Sequence, residues 1–527
     1  MAHDTDRRPR NWYRLDNVGK FYSSQAGRSA QTVFRYAATM SEPVNPTALQ
    51  TAWEHTIAVF PSFNVHLRNG FFWHYLEQSE RTPAVEPERH PICARLHTGP
   101  DSPLLRVSYY QARINLEVSH MIADGRGALV LFKALLHEYA HVRYGIEAAA
   151  AGLDGSAAQK AEDGFAKFYD PSDATAARHH RDADAGTDTA AEADGKSTEG
   201  SANDSPASAN NANAQQSTTD GGVSNAHKPR LYRIAGLRDR TRPTFMECHL
   251  DVRAALGIAH RMDVTLTALL VAAIIGAIRD SMPRRQRNRA IRVDIPVDLR
   301  AFFDSRTVRN FFGLTFVAYT PGDTDESLET IARRINTQLA AAVVRERAVT
   351  HTNRMIRLER NPLLRLSPSP AKDLVLELAS RIVAASTTTT MSNIGRVRLD
   401  DAMAPYVRDL NVTTTPEGLN FMACSYGNDL SIGISTSLAD LDAVRGLCRT
   451  LTGLGLQVRM HIAGAEAQHA GIMDGAADTT DDTNGITTTS NATAKPSSNA
   501  SCAMNTTDAT DNATRGTANG LPEKERA

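Results

Sequence analysis

The chain has 527 residues, 41% of them hydrophobic, and its 58 Lys and Arg against 59 Asp and Glu leave a net charge of −1. That balance gives no basic excess for nucleic acid and describes a soluble globular protein long enough for two domains. Its start, Met-Ala-His-Asp-Thr-Asp-Arg-Arg, is polar and no apolar stretch follows it, so no signal peptide is expected and a cytoplasmic location is. Cys93, Cys248, Cys424, Cys448 and Cys502 are scattered without CxxC spacing, which argues against a disulfide framework and against a cysteine zinc site.

Composition divides the chain into four. Residues 147–228 and 465–527 are crowded with Ala, Asp, Asn, Ser, Thr and Gly and are expected to be disordered. Residues 1–146 and 229–464 remain as two structured halves. In the first, a strand is expected at 34–39. Pro46 then opens a helix whose apolar stripe is Leu49, Ala52, Trp53, Thr56, Ile57 and Phe60, and Pro61 ends it. Asn69-Gly70 predicts a tight hairpin between strands 64–67 and 71–76. A second hairpin follows, since Leu105, Val107 and Tyr109 alternate with polar neighbours and, after a turn at Gln111-Ala112, Ile114, Leu116 and Val118 do the same. The next helix carries Leu129, Phe132, Leu136, Tyr139 and Ala140 as its stripe, with His137 and His141 on its polar flanks.

In the second half, strands are expected at 245–251 and 290–297, the latter leading to Asp298-Leu299-Arg300, with a buried helix at 265–278 between them. The apolar run of that helix is too short to span a bilayer, so no membrane span is predicted. Strands at 407–413, 419–425 and 430–435 and a helix at 441–451 complete the half. Each half is thus α/β with largely antiparallel pairing.

The chemistry concentrates in Ser119-His120-Met-Ile-Ala-Asp124-Gly125. Imidazole is the side chain whose ordinary pKa suits a general base near neutral pH. If the 114–118 strand continues, His120 shares its inward face, Asp124 lies just past the strand end, and Gly125 lets the backbone turn into the helix. The bland alternative is a core histidine followed by an Asp at a helix start. A rival motif, His137-Glu138-Tyr139-Ala140-His141, spells the HExxH of zinc proteases, but no third ligand or metzincin extension accompanies it, and no metal is expected.

On these residues the chain resembles the HxxxD acyltransferase superfamily, and within it the alcohol acetyltransferases and condensation-domain-like proteins. The likeness rests on 118–125, on 48–65 and 70–77, on Ile295-Pro-Val-Asp-Leu-Arg300 with Asn310-Phe-Phe-Gly313, and on Ser392-Asn393-Ile-Gly395-Arg-Val397. It implies two chloramphenicol-acetyltransferase-like halves, with mostly antiparallel or mixed sheets flanked by helices and an active-site tunnel between them. It further implies that His120 takes the proton of the acceptor and hands it to the leaving thiol, that Asp124 is structural and pairs with Arg300, and that Gly125 serves the turn. Asn393 would help to stabilise an oxyanion or would serve only as a strand-end turn residue. The implied partners are a small-molecule acyl donor and an alcohol acceptor, with acyl-CoA as co-substrate and no cofactor. Amide or ester formation from an acyl carrier protein thioester is the alternative, and a non-catalytic interaction module is a third. The chain departs from the peptide-forming condensation domains in having Ser119 where they carry a second His, and it lacks the DFGWG segment of the plant branch. The basic stretch 284–289 reads as a CoA-phosphate contact or as a solvated turn. A monomer is expected.

Overall fold

The computed structural model describes residues 11–25, 32–99, 101–147, 156–170, 230–322, 325–362 and 366–462. All of these lie within one compact unit; a second unit, residues 476–527, falls wholly outside them, as do most of the 147–228 insert and the tail.

The first lobe is built on a five-stranded sheet ordered β12-β2-β7-β6-β5. Strand β2 (Val33–Met40) lies antiparallel to β7 (Arg113–Ser119), which forms a hairpin with β6 (Leu105–Tyr110) through Gln111-Ala112; β5 (Glu86–Pro87) edges the sheet. This is the hairpin that the alternating residues predict. Helices α2 (Pro46–Val59) and α3 (Gly125–Tyr144) cover it. Asn45 caps α2 by accepting from Ala48 N at 3.0 Å, and Pro46 fills the first helical position, where a missing N–H costs nothing. Leu49, Ala52, Trp53 and Ile57 then bury against Leu136, Tyr139 and the sheet. A small sheet, β1 (Trp12–Arg14), β4 (Tyr75–Gln78) and β3 (Val65–Arg68), flanks the lobe.

The Asn69-Gly70 hairpin does not form as predicted. Residues 69–74 are a longer connection, in which the Trp73 carbonyl folds back so closely on Gly70 that a Cβ there would sit 2.2 Å from it. Phe71 and Phe72 leave the strand and are exposed.

The second lobe is a seven-stranded mixed sheet ordered β10-β9-β11-β13-β14-β8-β15. Its strands are β8 (Thr244–Asp251), β9 (Ile291–Asp298), β10 (Phe312–Tyr319), β11 (Thr389–Arg396), β13 (Leu419–Tyr426), β14 (Asp429–Thr436) and β15 (Arg459–Ile462). Strand β11 runs parallel to both neighbours, and the other pairs are antiparallel. Helix α7 (Leu266–Ser281) is buried from Ala268 to Ile278, with α6 (Val252–Arg261), α8 (Leu328–Ala342) and α11 (Asp442–Gly453) beside it. No single helix among the described residues is long and apolar enough to cross a membrane. Helices α1 (Asn17–Ser23), α9 (Arg345–Arg360) and α10 (Ser369–Ala385) lie along the cleft between the lobes.

Two features depart from a clean division at residues 146 and 229. Strand β12 (Val407–Thr414) belongs to the second half of the sequence but pairs with β2 of the first lobe, burying Val407, Leu410 and Val412 in that core. Residues 156–170, within the insert expected to be disordered, form two short helices, α4 (Ala157–Lys160) and α5 (Gly164–Lys167). The cause is aromatic: Phe165 is fully buried edge-on to Phe311, and Phe168 stacks with Phe311 at 5.8 Å.

An ionic cluster ties the lobes. Arg113 of β7 donates to Glu247 of β8 at 3.0 Å, and His249 Nδ1 pairs with Asp429 at 2.8 Å. Burial alone would lower the His249 pKa, but the hydrogen bonds to Asp429 and Glu247 outweigh it and hold it at about 9. A folded-state value above the unfolded one stabilises below about pH 6.5 and is lost as pH rises through about 9. Between about pH 7 and about pH 10 the chain is therefore expected to lose about 2–3 kcal/mol of stability. Urea midpoints across that range check this, with His249→Gln expected to flatten the slope.

Candidate active site between the lobes

The site begins where β7 ends. Ser119 is the last residue paired to β2, and the chain keeps one further link as His120 N donates to the Thr32 carbonyl at 3.1 Å. The His120 ring is stacked on Tyr22 at 4.8 Å and packed against Phe34 at 4.6 Å, with Phe312 at 6.1 Å on the side of the second lobe. Its Nδ1 is buried without a hydrogen-bond partner. This aromatic cage desolvates the imidazole and pulls its pKa down to about 4, with the Asp124 carboxylate and the Asn310 side chain acting in the opposite direction. The near-neutral value expected of an unperturbed histidine is therefore not what this position holds.

Asp124 does not touch His120 through a hydrogen bond. It is the N-cap of α3, where its Oδ1 accepts from Gly127 N at 2.8 Å. Oδ2 accepts from Phe311 N at 2.7 Å, and the Arg300 guanidinium donates to both oxygens, at 2.9 and 3.2 Å. Arg300 also bonds Asp298 and the carbonyls of Thr307, Arg309 and Phe311. The pair is a joint between the lobes, fixing the 305–311 segment against the start of α3. Arg126 makes a second one, donating to Asp298 at 3.2 Å and to the Ile394 carbonyl at 3.0 Å.

Gly125 opens α3, and Tyr36 Oη donates to its carbonyl at 2.7 Å. A Cβ there would meet the flexible end of Ile394 at 3.0 Å. The tighter requirement is two residues on: a Cβ at Gly127 would lie 1.8 Å from the backbone oxygen of Val308. Gly127→Ala is expected to destabilise the fold by about 3 kcal/mol, against about 1 kcal/mol or less for Gly125→Ala, read as shifts in denaturant midpoint.

Asn393 lies on β11 at a bulge. Its Nδ2 donates to Thr267 Oγ1 at 2.9 Å, and its Oδ1 accepts from Gly395 N at 2.9 Å, where Gly395 has φ +82°. Asn310, the first residue of the Asn310–Gly313 motif, is fully buried beside the 119–125 segment. Its Nδ2 donates to the His120 carbonyl at 3.0 Å and lies within 3.4 Å of both oxygens of Asp16. Burial raises the Asp16 pKa to about 6, against the Arg309 charge beside it.

The HEYAH segment is dispersed. His137 is buried with both ring nitrogens unpartnered, contrary to its expected place on a polar flank, because α3 is covered on more than one stripe. Burial and the nearby Lys133 lower its pKa. His141 is exposed, and Glu138 pairs with His55. No group of three metal-ligating side chains occurs among the described residues.

A cavity of about 2020 Å³ joins these parts. His120, Tyr22, Phe34, Phe312 and Asn393 line it, and α10 runs beside it from Lys372 to Ala385, about 20 Å of helix. Lys20, Trp73 and Lys372 line it near the start of α10. Arg233, which donates to the Ala385 carbonyl at 3.0 Å, lines it near the end of α10, and Arg238 and Arg240 also line it.

A two-lobed mixed α/β fold with a cleft histidine at a strand end and an Asp–Arg joint behind it defines the class. The two-lobed architecture is the chloramphenicol-acetyltransferase-like fold. Within it, residues 242–398 match the family model for the phthiocerol/phthiodiolone dimycocerosyl transferase C-terminus. Among solved structures, the fold is similar to the epimerization domain from the third module of tyrocidine synthetase B, at 11% identity over 84% of this chain and 95% of that one, with a TM-score of 0.50. It is also similar to the first condensation domain of the calcium-dependent antibiotic synthetase, at 12% identity, 84% and 95% coverage and a TM-score of 0.50. Polyketide synthase associated protein 5 from Mycobacterium tuberculosis matches at 13% identity over 84% of this chain and 98% of that one, with a TM-score of 0.48. No curated protein sequence matches the chain.

Proposed function

We propose that the chain moves an acyl group from a thioester, with acyl-CoA as donor, to an alcohol, and that His120 is the general base. The carrying observation is the position of His120: its ring lines the cavity between the lobes, and Nδ1 is enclosed. Nε2 is then the nitrogen that receives the proton of the acceptor hydroxyl as the oxygen attacks the thioester carbonyl. The tetrahedral oxyanion collapses, the C–S bond breaks, and the proton passes from Nε2 to the departing thiolate. Asp124 and Arg300 act at a distance as positioning residues, holding the end of β7 and the start of α3 in one geometry. Asn393 keeps the β11 bulge in shape, and its location on the cavity wall is compatible with a donor near the oxyanion.

Arg233, Arg238 and Arg240 on the cavity wall favour a donor that carries phosphates, as CoA does. The likeness to condensation and epimerization domains favours a second reading, in which the thioester is tethered to a carrier protein and the acceptor is an amine or alcohol.

Thiol release from a panel of acyl-CoAs, each with mixed alcohols and then mixed amines, tests the first reading. Turnover that needs an alcohol is the expected result. No turnover with any acyl-CoA, but turnover with an acylated carrier protein, would overturn it in favour of the second.

A further inference from the structure

Helix α10 is inside out. Its buried side chains include Lys372 and Glu377, whereas Leu374, Leu378 and Ile382 are 63%, 59% and 60% exposed, with Val375 exposed beside them. Spacing of four places 374, 378 and 382 on one stripe. The polar residues are turned inward: Lys372 Nζ donates to the Phe72 carbonyl at 2.8 Å and stands over the Trp73 ring at 3.7 Å. The 69–74 connection is pinned to the same helix, since Ser369 N and Oγ both donate to the Phe71 carbonyl. Phe71 and Phe72, themselves exposed, therefore extend the stripe into one apolar patch drawn from two separate segments.

Charge says what covers this patch. Helices α9 and α10 both pack on α1, and α9 presents Arg345, Arg347, Arg354, Arg357 and Arg360, all exposed, against two glutamates. Arg381 flanks the stripe on α10 with its side chain 74% exposed. An exposed aliphatic and aromatic face flanked by Arg381, with an arginine-rich helix sharing its support on α1, is the pattern of a surface lying in a lipid headgroup region. We propose that α10, the 69–74 connection and the basic face of α9 dock the protein on an anionic phospholipid bilayer. Val375 and Val383 are exposed and also line the cavity, so the rim of the cavity lies at the patch. The docking stands on this surface alone and does not depend on the acyl-transfer chemistry.

Flotation of the full chain with phosphatidylcholine vesicles, with and without phosphatidylglycerol, tests the proposal. The chain is expected to float with the phosphatidylglycerol vesicles, less so as salt rises. Leu374→Ser/Leu378→Ser/Ile382→Ser is expected to weaken partitioning about tenfold or more, and Arg354→Glu/Arg357→Glu to remove the dependence on the anionic lipid. These side chains are exposed, and circular dichroism checks that the variants fold. Failure of the wild type to float with anionic vesicles overturns the proposal, as does equal flotation of the triple variant. A dimer in analytical ultracentrifugation that the triple substitution dissolves, without flotation of the wild type, would assign the face to a second copy of the chain instead.

Discussion

His120→Ala is expected to lower kcat for acyl transfer about 10²–10⁴-fold, or about 3–5 kcal/mol of barrier, while leaving KM for both substrates within a few-fold. The ring contacts Tyr22, Phe34 and Phe312 and makes no side-chain hydrogen bond that holds the fold together, so truncation leaves the lobes joined through Asp124, Arg126 and Arg300. The pH profile separates a base from a bystander. Burial in the aromatic cage pulls the His120 pKa to about 4, so the imidazole is neutral and able to accept a proton throughout the neutral range. Activity is expected to stay level from about pH 8 down to about pH 5 and to fall only as pH approaches about 4. An acid limb near the ordinary histidine value would show that substrate binding or hydration reverses the desolvation. A profile with no acid limb, or a variant that keeps its kcat, would remove His120 from the chemistry.

The sequence carried the local elements well because their causes are local. Asn45-Pro46 and the Leu49, Trp53, Ile57 spacing start and orient α2, and the alternation around Gln111-Ala112 is by itself a hairpin. The pairing of Asp124 with Arg300 came through the family resemblance, since nothing in the spacing of residues 176 apart brings them together. What was not legible depends on neighbours distant in the chain. Val407–Thr414 alternates like any strand, and only three-dimensional packing assigns it to the first lobe. Gly127 is one more glycine beside Gly125 until the Val308 carbonyl stands against it. The Asn69-Gly70 pair carried a real turn preference that the anchoring of Phe71 and Phe72 to α10 overrode. Asn310 could have been singled out, because it opens the 310–313 motif, but its contact with the His120 carbonyl could not.

Arg300→Met is expected to cost about 3–5 kcal/mol of stability, the largest loss from any single side chain at the site. The guanidinium is almost enclosed, its side chain 14% exposed and that of Asp124 5%. It satisfies both carboxylate oxygens of Asp124, Asp298 and three carbonyls of the 305–311 segment. A methionine fills much of the volume but leaves the Asp124 charge without its counter-ion and the carbonyls without donors, which is the expensive way to break a buried pair. Arg300→Lys is expected to recover less than half of the loss, because one ammonium cannot reproduce a fork that serves Asp124 and the loop at once. Asp124→Asn/Arg300→Met removes the stranded charge and is expected to be more stable than Arg300→Met alone, a non-additivity that urea midpoints can read. If the pair only positions His120, kcat should follow the same order as stability while the acid limb near pH 4 stays in place. If Asp124 instead supports the charge on the imidazole directly, Asp124→Asn should lower that limb further, because the Asp124 carboxylate is the largest influence raising the His120 pKa.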